Sequence, residues 1–116
     1  VVRPLASELY SRAKCKVLIL KLGDRGIMTY RGPTDDMRSF FSVDSFVRNA
    51  VDPVGAGDAL LAYASLSLLA TKSAGVASIL GSMAAAVACE REGNVPVSPG
   101  DVLNKLDAVE KRTNYQ

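Results

Sequence analysis

Apolar and polar positions follow different rhythms along this chain, and each rhythm predicts a different element. Residues 4 to 13 (PLASELYSRA) read as a short helix, with Pro4 suited to a first turn by its fixed φ. Lys16-Val17-Leu18-Ile19-Leu20 holds an unbroken apolar run with β-branched residues. Such a run predicts a strand buried on both faces, of the kind found in parallel sheets under helices. Gly23-Asp24-Arg25-Gly26 predicts a tight turn, and Ile27-Met28-Thr29-Tyr30-Arg31 alternates as the strand returning from it. Residues 32 to 38 form a polar loop with Pro33 and the pair Asp35-Asp36, read as an exposed acidic loop. Ser39 to Val43 is a third, edge-like strand.

The second half is helical. Beyond an unassigned stretch (44 to 51), Asp52-Pro53-Val54-Gly55-Ala56-Gly57-Asp58 precedes two long helices, 58 to 71 and 74 to 91, parted by Lys72-Ser73. Gly93-Asn94-Val95-Pro96 ends the second. A last helix spans 99 to 112, with Ser98 as N-cap, Pro99 as first helical residue and Asp101 as the acid of the first turn. Residues 113 to 116 read as a frayed tail. The segments 59 to 64 and 83 to 88 are apolar nearly all round, and a helix without a polar face has to be covered on most sides. The chain offers one interior strand, a hairpin and an edge, too few strands for a doubly wound sheet. Either a partner chain covers these surfaces or the sequence, read as the single segment 1 to 116, is part of a larger protein.

Composition narrows the chemistry. The chain has 116 residues, 14 Lys+Arg against 12 Asp+Glu, 48% hydrophobic residues and no His. Without His there is no Ser-His-Asp or Cys-His nucleophile system, no His-ligated zinc or haem, and no imidazole acid or base. A net charge of +2 announces neither nucleic acid nor an anionic membrane. Cys15 and Cys89 lie in no metal-ligand cluster and are expected to be free thiols in a reducing compartment. No signal peptide is visible, and the apolar stretch 59 to 70 falls short of the ~20 residues that span a bilayer. The expected location is cytoplasmic, and a start without Met is expected of a trimmed or excised piece.

The segment 52 to 58 carries the strongest chemical signal. Gly55, Ala56 and Gly57 let backbone N–H groups approach a ligand closely, directly before a helix N-terminus with its partial positive charge. That combination suits phosphate. A bare phosphate cradle would not favour Asp58 in the first helical turn, whereas a carboxylate there can take the proton of an attacking hydroxyl. The same residues are also compatible with plain helix capping, since Asp stabilises a helix start without any ligand. A G-x-x-x-x-G-K-[ST] loop is absent, and the third glycine of a dinucleotide fingerprint is replaced by Leu60. Two further groups read as structural: Glu90-Arg91-Glu92 as a solvated helix end, and Lys105, Lys111 and Arg112 as cations that suit the last helix's dipole.

Asp52-Pro53-Val54-Gly55-Ala56-Gly57-Asp58-Ala59-Leu60-Leu61-Ala62 resembles the second signature of the PfkB, or ribokinase-like, carbohydrate kinases. Leu20-Lys21-Leu22-Gly23-Asp24-Arg25-Gly26 resembles the family's strand and turn ahead of that signature. The Ala-rich helix ending in Gly93-Asn94-Val95-Pro96-Val97-Ser98-Pro99 resembles the family's segment downstream of it, and that ending leans toward the heptose phosphate kinase branch. The resemblance covers about residues 17 to 106. It implies an α/β fold, the C-terminal part of a ribokinase-like three-layer α/β/α nucleotide-binding domain that is incomplete in this chain. It further implies ATP and Mg²⁺, a sugar or sugar phosphate whose hydroxyl is phosphorylated, Asp58 as general base, and the amides of Gly55, Ala56 and Gly57 as an anion hole. Gly23 and Gly26 would lie by the nucleotide, although a simple hairpin turn explains them equally. Ser82 and Gly93 would wall the adenine pocket. The carbonyls of Asp52 and Val54 would offer ligands to a monovalent cation such as K⁺.

The chain departs from the family at Tyr63, where a small residue is usual, and at Ser82, where many members have Asn. The family's Gly-Gly signature, sugar lid and N-x-x-E motif tied to Mg²⁺ find no match: Asn49 and Asn104 are each followed three residues on by Asp. The implied partners are therefore the missing N-terminal part of the same protein and, in a homodimer, a second copy, with no nucleic acid and no membrane. This fragment alone is expected to be inactive. The alternatives are a non-catalytic nucleotide- or anion-binding module, or a structural remnant completing a partner's sheet.

Overall fold

The computed structural model describes residues 2–14, 16–31, 40–92 and 96–114, in two units, 1–45 and 46–116. In the first unit, α1 (Val2–Ala13) packs on the first two strands of a meander, β1 (Leu18–Lys21), β2 (Ile27–Tyr30) and β3 (Phe40–Val43). All pairing is antiparallel, in the order β1-β2-β3, with Leu18 opposite Tyr30 and Ile27 opposite Val43. The strand 16 to 20, expected as the interior one with parallel neighbours that this chain does not supply, is half-buried, and its described partner is β2. The tight turn after it forces an antiparallel return, and no other described strand lies on its free edge. The doubly buried strand is β2, flanked on both sides: Ile27, Thr29 and Tyr30 are all buried. Tyr30 centres the local core, edge-on to Tyr10 at 4.6 Å and tilted against Phe40 at 4.3 Å. β3 is the edge strand the pattern predicts. The loop 32 to 38, with Asp35-Asp36, and Cys15 lie outside the described residues.

The turn between β1 and β2 is one 3-10 turn, Gly23–Arg25, closed by Gly26 N–H to Gly23 O at 3.2 Å. Gly26 has φ +90°, and a Cβ there would collide with the Val43 carbonyl oxygen and lie 2.8 Å from the Ser45 nitrogen. Glycine is needed at this position for close passage of β3's end.

The second unit is helical: α2 (Ala56–Thr71), α3 (Ala74–Cys89) and α4 (Pro99–Asn114). α2 and α3 form a close antiparallel hairpin through small residues. Ala64, Ala77, Gly81, Ala84 and Ala88 are buried, and a Cβ on Gly81 would stand 3.0 Å from the Ala64 Cβ and 3.1 Å from the Leu60 carbonyl. Between them Lys72 terminates α2 with a left-handed φ of 60°, and Ser73 caps α3 by accepting from Val76 N–H at 3.1 Å. α4 packs on α3 around Met83, Ala84 and Val102. Its start is the predicted capping box: Ser98 Oγ accepts from Asp101 N–H at 3.2 Å, and Asp101 Oδ2 accepts from Ser98 N–H at 2.9 Å. α4 reaches Asn114, two residues past its expected end. Tyr63, the departure from the family pattern, packs into this core and donates from its hydroxyl to the Val97 carbonyl at 2.7 Å, tying α2 to the segment that enters α4.

The nearly all-apolar α3 is buried over most of its length, as its pattern requires. α2 is not. Leu61, Leu66 and Leu69 are 66%, 64% and 70% exposed, far beyond the usual fate of leucines on a helix with no polar stripe.

Candidate anion-binding site at the start of α2

The site is built by one loop and the helix it opens. Cys89, the last residue of α3, accepts from both Val51 N–H and Asp52 N–H at 2.9 Å, which fixes the loop to α3 before it turns. Asp52 Oδ1 accepts from Val54 N–H at 3.0 Å, an Asx turn. Gly55 then takes φ +83°, the left-handed conformation, and serves as N-cap of α2 without a side chain. Its carbonyl accepts the first helical bond, from Ala59 N–H at 3.0 Å.

Three N–H groups of the first turn have no intrahelical partner: Ala56, Gly57 and Asp58. Ala56 N–H bonds the Pro53 carbonyl at 3.2 Å, while those of Gly57 and Asp58 are uncommitted among the described residues. Asp58 is exposed, and its carboxylate accepts no hydrogen bond from the described residues. The contrast with α4 is informative, because Asp58 and Asp101 occupy the same third helical position. Asp101 closes its cap and pairs with Arg91 Nη2 at 2.7 Å. The Ser98 N–H first, then the Arg91 guanidinium and the Ser98 hydroxyl, hold its carboxyl down at about 2. In α2 the equivalent carboxylate is spent on nothing, beside two free donors and the positive end of a helix of 16 residues.

Positions 58, 61, 62, 65, 66 and 69 recur at three- and four-residue spacing, so Asp58 shares a face of α2 with the exposed leucines. Ser82, on α3, is 7% exposed, and its Oγ has no hydrogen-bond partner among the described residues. An orphaned buried hydroxyl fits a position awaiting a polar ligand atom. Gly23 and Gly26 belong to the other unit and are accounted for by the turn. Gly93 lies outside the described residues. Among the described residues no three of Cys, Asp and Glu converge as metal ligands. Cys89 is a free, half-buried thiol, as expected. No helix among the described residues is long and apolar enough to cross a membrane.

Sequence reasoning misjudged the charged residues beyond α3. Glu90, read as solvated, accepts from Lys105 Nζ at 2.6 Å and from Arg48 N–H at 3.1 Å. Arg91 joins Asp101 to the Pro96 carbonyl, the latter at 3.3 Å. Lys105, read as a dipole partner, is only 9% exposed and ion-paired. Burial works to raise the Glu90 carboxyl, but the bonds from Lys105 and Arg48 N–H, the Lys105 charge and Asn49 N–H together hold it below the usual carboxylate range. The signal was present: Lys105 falls among Val102, Leu106 and Val109, in the apolar stripe of α4, where a cation requires a partner.

The chain matches the model of the pfkB family carbohydrate kinases over residues 2–99. Comparison with curated proteins gives no match. Among solved structures, ribokinase from Thermotoga maritima is 27% identical, with a TM-score of 0.76 over 92% of this chain and 35% of that one. Phosphofructokinase-2 from Escherichia coli, solved in complex with potassium, is 23% identical, with a TM-score of 0.77 over 94% of this chain and 34% of that one. A microbiome-derived acarbose kinase is 19% identical, with a TM-score of 0.76 over 90% of this chain and 36% of that one. The chain thus has the ribokinase-like α/β fold as part of a domain, and it spans about a third of the length of the structures it matches.

Proposed function

Because the chain belongs to the pfkB family of carbohydrate kinases, we propose that it supplies the phosphoryl-transfer part of an ATP-dependent kinase acting on a hydroxyl of a sugar or sugar phosphate. The observation that carries the reading is the uncommitted Asp58 carboxylate beside the free N–H groups of Gly57 and Asp58, at a position where α4 spends its Asp on a cap.

In this reading Asp58 accepts the acceptor hydroxyl's proton as that oxygen bonds to the γ-phosphorus. The bond from phosphorus to the β,γ-bridging oxygen breaks, leaving ADP and the phosphorylated sugar. The backbone of Gly55, Ala56 and Gly57 shapes the anion hole, with Gly57 and Asp58 N–H as free donors and Ala56 N–H shared with Pro53. Asp58 and the donors stand on one helical turn, so the base and the charge stabiliser are fixed relative to each other. Ser82 Oγ would meet a polar edge of the nucleotide base. Mg²⁺ would arrive on the nucleotide's phosphates, neutralising charge there. The Asp52 and Val54 carbonyls would hold a monovalent cation, a reading supported by the potassium in the E. coli phosphofructokinase-2 structure. The ending 95 to 99 favours a heptose phosphate among the acceptors. The setting is cytoplasmic.

The exposed leucines of α2, on the face shared with Asp58, suit a surface completed by the preceding part of the same protein, which would bring the sugar site. Alone, this fragment is inactive, because the sugar site lies outside it. A capping-only role for Asp58 would rest on the helix dipole alone, since its carboxylate accepts no hydrogen bond from the described residues. The test is ATP consumption by the complete protein across a panel of sugars and sugar phosphates. Acceptor-dependent ADP release supports the reading, and ADP release with no acceptor-phosphate product sinks it.

A further inference from the structure

The last turn of α3 grips the segment leading to the anion loop with two consecutive residues. Cys89 takes the N–H groups of Val51 and Asp52 on its carbonyl, each at 2.9 Å, and Glu90 takes the N–H of Arg48 on Oε2 at 3.1 Å. The other oxygen of Glu90 is held by Lys105 at 2.6 Å, which fixes the carboxylate in the rotamer that reaches Arg48. Lys105 is almost wholly buried on α4, whose own start is fixed by the Ser98–Asp101 box and by Arg91. A chain of specific bonds therefore runs from α4 through Glu90 to Arg48, seven residues before Gly55.

We infer that Glu90, clamped by Lys105, is a positioning residue that sets the anion loop's place against α3. The inference rests on the kinase reading for its consequence in catalysis, but its structural content stands apart from it. A part-buried ion pair can serve stability alone, and the two roles separate by design of the variants. Removing only Glu90 strands the buried Lys105 cation, which destabilises whatever else the carboxylate does. Replacing both by Met removes the charges together, an exchange that is commonly near neutral in stability. Arg48 N–H would still lack its acceptor.

The experiment compares wild type with Glu90→Met, Lys105→Met and the double variant in the complete protein, by amide hydrogen exchange and unfolding midpoint. In the double variant the midpoint returns close to wild type. The Arg48, Val51 and Asp52 amides nevertheless exchange faster by about tenfold or more, the scale of one lost hydrogen bond to a charged group. Steady-state kinetics show kcat lowered by about tenfold with KM for the acceptor nearly unchanged, as for a displaced reacting group. Wild-type protection at Val51 and Asp52 in the double variant overturns the inference, including the case where Arg48 alone is released. Should the wild type transfer no phosphate, the kinase reading fails while the exchange pattern still decides this one.

Discussion

Gly81→Ala sets two well-known effects against each other, and the structure decides the sign. In a helix interior Ala is favoured over Gly by about 1 kcal/mol, so propensity alone predicts stabilisation. Gly81, however, faces α2, and its added Cβ would meet the Ala64 Cβ at 3.0 Å and the Leu60 carbonyl at 3.1 Å. Neither neighbour can swing aside: one is bonded directly to the backbone and the other is backbone. The hairpin has to open by a few tenths of an ångström along its length, and overpacking of this kind costs typically about 1–3 kcal/mol. The net expectation is a loss of about 0–2 kcal/mol once the propensity gain is subtracted, so the substitution does not stabilise. Gly75→Ala is the internal control, because its Cβ would meet only Ser73 Oγ, at an ordinary 3.6 Å. Equilibrium urea unfolding of both variants with unchanged m-values gives the comparison directly. Gly75→Ala should be neutral or slightly stabilising. Gly81→Ala more stable than wild type by the full propensity gain of about 1 kcal/mol would refute the close-packed hairpin.

The α4 capping box makes stability depend on acid pH. Asp101 is held at about 2 against 3.8 ordinarily, so its contribution is complete above about pH 4 and fades as the pH falls toward 2. Asp101→Asn should flatten that part of the stability–pH curve, and Ser98→Ala should cost about 1 kcal/mol at neutral pH. Leu66→Asp should leave the 116-residue chain within about 0.5 kcal/mol of wild type, as exposed substitutions do. In the complete protein the same substitution should cost about 2–4 kcal/mol by burying a charge, and equal small effects in both would leave α2's open face without its proposed cover.

Much of this was legible in the chain. The turn glycines, the Ser98–Asp101 box and the loop 52 to 58 are local, set by residues three or four apart, and the structure forms them where the pattern puts them. Strand burial was not local. How deeply a strand is buried depends on its neighbours in the sheet and on the layers packed on it, and in this chain β2, between two strands, is buried more deeply than the more apolar run of β1. The Glu90–Lys105 pair joins the end of α3 to α4, so charge counting along the sequence saw a solvated helix end and a dipole partner where packing makes one clamp. Asp58 stands in the first turn of α2, as the pattern predicts, with a carboxylate that accepts no hydrogen bond from the described residues.

The central claim is that Asp58 takes a proton during phosphoryl transfer. In the complete protein, Asp58→Asn keeps the helix start and the neighbouring N–H donors but removes the base. Turnover should fall by about 100-fold or more, the scale of lost general-base catalysis, while calorimetry finds nucleotide affinity within about threefold of wild type, less than about 1 kcal/mol. An Asn variant that turns over at the wild-type rate would contradict the assignment.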